Sequence, residues 1–184
     1  MSETRAPRIL ALDLSLTHAG WAASDAEAPL GVTSGVWTAP GRGGARLARV
    51  RREARALVDR FAPEVAIVEA GVFRSQAAFA VGTARGVVEL MLYDRGVPLA
   101  EASPASVKAF AVGGSATKGA VIAHAVRTFG FAGDSDDEAD AFMLWQLARY
   151  AVGAGLAGRS AARDAAVRKI DLSAWEEVLG RRRT

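Results

Sequence analysis

Residues 8–14, Arg-Ile-Leu-Ala-Leu-Asp-Leu, constrain the fold of this chain more than any other stretch. The segment reads as a buried strand that carries a carboxylate near its end. Side chains alternate along a strand, so Asp13 shares a face with Ile9 and Ala11. An ionised carboxylate on an apolar face is costly unless it is paired or bound to a metal. A second run, Glu64–Glu69, repeats the arrangement, with Val65, Ile67 and Glu69 on one face. Taken alone, each acid is equally well read as a strand-end residue that opens a turn.

Around these two strands the pattern sets out an α/β chain. Residues 20–23 and 31–38 read as two further strands, completing an antiparallel meander with the first. A turn-rich loop, Ala-Pro-Gly-Arg-Gly-Gly at 39–44, leads into a helix over 45–61, where Leu47, Val50, Ala54, Leu57, Val58 and Phe61 recur at helical spacing. A long apolar helix is expected over 75–95 and a short strand over 97–102. Ser103 is the expected N-cap of the next helix, with Pro104 at its first position. Helices follow over 104–111, 117–129 and 136–152. Strands first, then strands alternating with helices, predict a mixed five-stranded sheet flanked by helices. The segment after residue 155 is polar and rich in Ala and Arg, with Ser173 and Glu176 spaced as a capping box. We divide the chain into a domain over 1–154 and a basic, helical appendage over 155–184.

The acidic run Gly-Asp-Ser-Asp-Asp-Glu-Ala-Asp at 133–140 has two parts. Ser135 and Glu138 fit a capping box, and Asp136 and Asp137 fall in a first helical turn, where the macrodipole favours negative charge. Asp140 lies past that turn, at the head of a stripe with Leu144, Leu147 and Ala151. Asp137 is three residues earlier on the same face. A helical Asp-x-x-Asp beside two strand-end acids offers an all-oxygen donor set of the kind hard divalent cations take. Two such ions about 4 Å apart can activate a water and steady the leaving oxygen of a phosphodiester. Which of Asp134, Asp136 and Asp137 faces the site stays open within one helical turn.

Composition narrows the choice of chemistry. The 184 residues hold no cysteine, which excludes disulfides, thiolate metal sites and a Cys nucleophile. No apolar run approaches a membrane span, and no secretory signal is read at the N-terminus, so the expected location is cytoplasmic. The net charge is +3, which permits nucleic-acid binding without requiring it. Seven arginines crowd 42–60, a helix surface read either as solvated or as a grip on DNA phosphates. Of 23 basic residues only Lys108, Lys118 and Lys169 are lysines. Lys108 and Lys118 are read on residue grounds as solvated helix surface. His18 is read as a loop residue near Asp13, and His124 as core or helix surface.

The chain resembles the RuvC family of Holliday-junction resolvases, within the RNase H-like fold. The resemblance runs over about residues 8–152. It rests on Ile-Leu-Ala-Leu-Asp-Leu-Ser-Leu-Thr-His-Ala-Gly-Trp-Ala, on Ala-Ile-Val-Glu-Ala-Gly-Val-Phe, on the Val-Lys, Gly-Gly-Ser-Ala and Lys spacing around 107–118, and on Asp-Asp-Glu-Ala-Asp-Ala-Phe. It implies Asp13, Glu69, Asp137 and Asp140 as ligands of two Mg²⁺ ions, with Mn²⁺ as a substitute. It implies Lys118 as catalytic and Lys108 and Lys118 as phosphate contacts. It assigns Phe73 to base wedging, a residue equally well read as core, and places Arg74 beside it on DNA. It implies a homodimer formed through the 75–95 helix, acting on a four-way DNA junction, with no membrane and no nucleotide cofactor. Two departures bear on specificity. Asp13-Leu14-Ser15-Leu16 replaces the usual Asp-Pro-Gly-Ser, as in phage-type members, and the segment after Glu69 is one residue longer. Both leave room for action on flaps, forks or Y-junctions. The competing functions are a non-catalytic branched-DNA-binding module, an RNase H acting on RNA–DNA hybrids and, for the Asp-Leu-Ser-Leu-Thr-His-Ala-Gly segment, an actin-like or sugar-kinase-like ATPase. The last needs two domains and a second phosphate loop, more than 184 residues hold.

Overall fold

The structure, a computed structural model, describes residues 5–15, 17–71, 77–113 and 117–180. Five strands form one sheet: β1 (Ile9–Leu14), β2 (His18–Ser24), β3 (Val32–Thr38), β4 (Val65–Glu69) and β5 (Leu99–Ala102). Their spatial order is β3-β2-β1-β4-β5. The first three strands are an antiparallel meander, and β4 and β5 add in parallel to β1. This is the mixed five-stranded sheet expected from the order of the elements.

Seven helices complete the described chain: α1 (Gly43–Phe61), α2 (Ala77–Asp94), α3 (Pro104–Val112), α4 (Lys118–Phe129), α5 (Asp136–Ala151), α6 (Ala161–Val167) and α7 (Ser173–Gly180). Strand alternation sorts the core into two halves. Leu10, Leu12, Ala19, Ala23, Ala66 and Val68 point towards α1 and α2. Ile9, Ala11, Ala22, Val65, Ile67 and Ala102 point the other way, towards α3, α4 and α5. A sheet covered on both faces explains why β1 and β4 are apolar at successive positions. Among the described residues, no helix is long and apolar enough to cross a membrane.

The helix starts follow their caps. Ser103 Oγ accepts from Ser106 N at 3.1 Å, with Pro104 opening α3. Ser135 Oγ accepts from Glu138 N at 3.2 Å. The reciprocal half of that box differs from expectation, because Glu138 Oε2 accepts from Asp134 N, one residue before the cap. At α7 the expected Ser173 and Glu176 box is not formed. Ser173 is already the first helical residue, and Asp171 Oδ1 accepts its N–H at 3.0 Å.

The segment after residue 155 packs on the α5 side of the sheet. Ala166, Ile170 and Trp175 are buried in the same apolar cluster as α5. The Trp175 indole N–H reaches across to the carbonyl of Ala66 on β4, at 3.1 Å.

Candidate active site

The β1–β4 edge sets up the site. Asp13 and Glu69 each stand one residue beyond the last paired step, Leu12 with Val68, on neighbouring parallel strands. Both alternate onto the α5 side and both are half-buried. Their backbones are held by further pairings, Asp13 with Gly20 and Glu69 with Ala102. Two carboxylates on adjacent strand ends are therefore presented to the same space.

Helix α5 closes that space from above. Its first turns run over β2, with Asp137 and Asp140 half-buried and Asp136 exposed. Glu138 is taken up elsewhere: Ser34 Oγ of β3 donates to its Oε1 at 2.7 Å, while its Oε2 serves the helix start. The acidic run thus divides by function. Asp137 and Asp140 face the cleft, Glu138 ties the helix to the sheet, and Asp136 meets solvent.

A cleft of about 240 Å³ results, lined by Asp13, Glu69, Asp137 and Asp140 together with Ser15 and Lys108. Pro104, Val107 and Val121 supply its apolar walls. Larger hollows of about 460 and 560 Å³ lie elsewhere. The first is lined by Asp59, Glu64, Arg8 and Arg95, which pair with one another. The second is mostly apolar. Neither gathers four carboxylates.

The donor set suits a hard divalent cation, because its acidic groups offer only oxygen and the cleft contains no imidazole. Among the described residues, no three His, Asp or Glu side chains converge closely enough to hold an ion. The acids share the cleft at more open spacing than a closed coordination sphere.

Of the residues expected from sequence, the structure brings together Asp13, Glu69, Asp137, Asp140 and Lys108. Phe73 and Arg74 lie outside the described residues. Lys118 begins α4 after its N-cap Thr117, and its side chain lies outside them too. His18 opens β2 instead of lying in the preceding loop. Its ring contacts Thr17 Oγ1 at 2.9 Å and does not line the cleft. The arginines of α1 partly engage acids: Arg49 and Arg52 meet Glu53, and Arg55 meets Asp59.

Ser15 was not anticipated. Its hydroxyl donates to the His18 carbonyl at 2.5 Å and accepts from the His18 N–H at 3.2 Å, so it closes the β1–β2 turn at the cleft rim. The available signal was a small polar residue two positions after the strand-end acid. The Ser34–Glu138 tie joins residues 104 apart and had no local signal.

Comparison with known proteins places the chain in a family. Residues 9–144 match the family model described as "Crossover junction endodeoxyribonuclease RuvC". A protein of that name from Synechococcus sp. (strain CC9311) is 33% identical over 151 residues, which cover 74% of this chain and 94% of that one. Among solved structures, Thermus thermophilus RuvC is similar at a TM-score of 0.62 and 25% identity, covering 74% of this chain and 90% of that one. T. thermophilus RuvC in complex with Holliday junction substrate is similar at a TM-score of 0.64 and 24% identity, covering 75% and 90%.

Proposed function

The chain belongs to the RuvC family of crossover junction endodeoxyribonucleases, and on that premise we propose that it cuts four-way DNA junctions by metal-dependent phosphodiester hydrolysis. The observation that supports this reading best is the convergence of Asp13, Glu69, Asp137, Asp140 and Lys108 on one cleft. Four carboxylates and a lysine lining one small cleft give an all-oxygen acidic donor set of the kind a hard divalent cation takes.

Asp13, Glu69, Asp137 and Asp140 would hold two Mg²⁺ ions, or Mn²⁺ in their place. The chemistry supplied by such a pair is an activated water and neutralised charge on the leaving oxygen. The chain itself does the positioning. Strand ends fix Asp13 and Glu69, and α5 carries Asp137 and Asp140 as a rigid unit. Lys108, on the α3 wall, sets a compact positive charge against a phosphate oxygen in the cleft. Lys118 has the same assigned role on α4. Pro104, Val107 and Val121 form the apolar part of the cleft wall beside these groups.

We read the active form as a homodimer built on α2. Its inner face, with Val88, Met91 and Leu92, is buried against the sheet. Its outer face presents Phe79, Leu90 and Tyr93 at 85%, 62% and 82% exposure. These residues are separated by 11 and 3 positions, which puts them along one helical stripe with Gly86 between them. An apolar stripe of this kind marks an interaction surface. A two-fold pairing of α2 with α2 would set two clefts on one nearly two-fold symmetric junction.

The test is nicking of a labelled synthetic four-way junction in Mg²⁺, with Asp140→Asn alongside. Paired symmetric cuts, abolished in the variant while junction binding persists, are expected. Binding without cleavage in either Mg²⁺ or Mn²⁺ would mean a non-catalytic junction-binding module. Preferential cutting of an RNA–DNA hybrid would mean an RNase H. Absence of both binding and cutting would overturn the reading.

A further inference from the structure

Gly20 sits where β2 meets both halves of the carboxylate set. It pairs directly with Asp13 across the β1–β2 ladder. Its missing side chain faces α5, as do those of Ala22 and Ser24 on alternate positions of the strand. The facing residues of α5 are Asp137, Ala141 and Trp145, spaced four apart on one helix face. At the far end of this seam the Trp145 indole N–H donates to Ser24 Oγ at 3.1 Å. At the near end the contact is backbone on backbone. A Cβ built on Gly20 would lie 1.8 Å from the Asp137 carbonyl oxygen, 2.5 Å from its carbonyl carbon and 3.2 Å from Ala141 Cβ.

We infer that Gly20 is a positioning residue for the metal site, setting how closely the Asp137–Asp140 turn approaches Asp13 and Glu69. The inference rests on the metal-dependent reading above. Any side chain at position 20 must push the Asp137 carbonyl out by about 1.2 Å, from 1.8 Å to the 3.0 Å floor of real Cβ contacts. The atom in the way is backbone, so no rotamer change relieves it. Mg²⁺ holds its oxygen ligands at about 2.0–2.1 Å with little tolerance. Displacement of one acid pair by half that distance or more changes its spacing from Asp13 and Glu69 by more than such short contacts tolerate.

The test compares full-length wild type, Gly20→Ala and Gly35→Ala. Gly35 is a control for strain in the sheet, because its added Cβ meets the Trp21 ring at 2.8 Å, away from α5. Three readouts are taken: Mn²⁺ uptake by calorimetry without DNA, junction affinity without metal, and the Mg²⁺ dependence of junction cutting. Gly20→Ala is expected to weaken Mn²⁺ uptake, to raise the Mg²⁺ needed for half-maximal cutting and to slow saturated cutting by about 100-fold. Junction affinity should hold, and Gly35→Ala should match wild type in all three. If Gly20→Ala does not fold, Ala141→Ser enlarges the same seam from the helix side and should weaken Mn²⁺ uptake in the same direction. Normal Mn²⁺ uptake in a folded variant of either kind overturns the inference alone, as does an equal loss in Gly35→Ala. No Mn²⁺ uptake by wild type overturns the inference and the metal-dependent reading together.

Discussion

Replacing Trp175 tests how firmly the C-terminal helix holds the strand that carries Glu69. Trp175 is 1% exposed and its indole N–H donates to the Ala66 carbonyl, three residues before Glu69 on β4. A buried aromatic of this size removes roughly 150–250 Å² from water. At about 25 cal/mol per Å² that is about 4–6 kcal/mol, an upper bound because the unfolded chain already buries some of it. Truncations of this type in cores cost about 3–5 kcal/mol. That is a large share of the roughly 5–15 kcal/mol that stabilises a domain. For a chain of this length, each kcal/mol moves Tm by about 2–4 °C. Trp175→Ala should therefore lower Tm by about 6–20 °C. Trp175→Phe keeps most of the packing and removes the hydrogen bond. Leaving a buried carbonyl without that donor costs about 1–3 kcal/mol, so a smaller fall is expected. Thermal and urea unfolding of the full chain measure both, ideally with coincident transitions by far-UV and near-UV dichroism. A Tm within about 2 °C of wild type for Trp175→Ala would refute the docking of α7. A larger fall for Phe than for Ala would refute the division into packing and hydrogen bonding.

Three further outcomes follow from particular residues. Gln146 is 0% exposed, and neither atom of its amide has a hydrogen-bond partner among the described residues. Gln146→Met, of similar shape, should raise stability by about 1–2 kcal/mol in urea unfolding; a loss of stability would mean that the amide is held by a buried water. Leu90→Asp on the outer stripe of α2 should convert dimer to monomer in sedimentation velocity without changing Tm beyond the loss of association, and an unchanged dimer would move the interface off α2. His124 has its pKa lowered from the ordinary imidazole value by burial first, then by the charges of Arg163 and Arg127. Its folded pKa is below its unfolded one, so its neutral form favours the fold above about pH 6.5, and that contribution is lost as pH falls through the unfolded and then the folded value. His124→Gln should therefore lose less stability than wild type between pH 7.5 and 5, and parallel curves would rule out this histidine as the cause.

The local features of the fold were set by period and punctuation. Alternation in Arg8–Leu14 and Glu64–Glu69 placed Asp13 and Glu69 on one face of their strands, whatever else the chain does. Ser103-Pro104 and Ser135 marked helix starts because orphan N–H groups need an acceptor there. The three-residue step from Asp137 to Asp140 fixed them on one side of α5. Each of these follows from geometry within one element, which a single segment carries completely.

What joins the elements was not legible. Gly20 reads as an ordinary strand glycine until α5 is laid across it and the Asp137 carbonyl fills the space of its absent side chain. Glu138 reads as a capping acid until Ser34 reaches it from the far strand. Trp175 sits in a short amphipathic segment, and only the folded chain shows that its apolar face is buried against β4. These contacts depend on how closely two backbones approach and on which surfaces face each other. That distance is settled by packing of the whole core, where an ångström decides between contact and clash, and no periodicity within a segment encodes it.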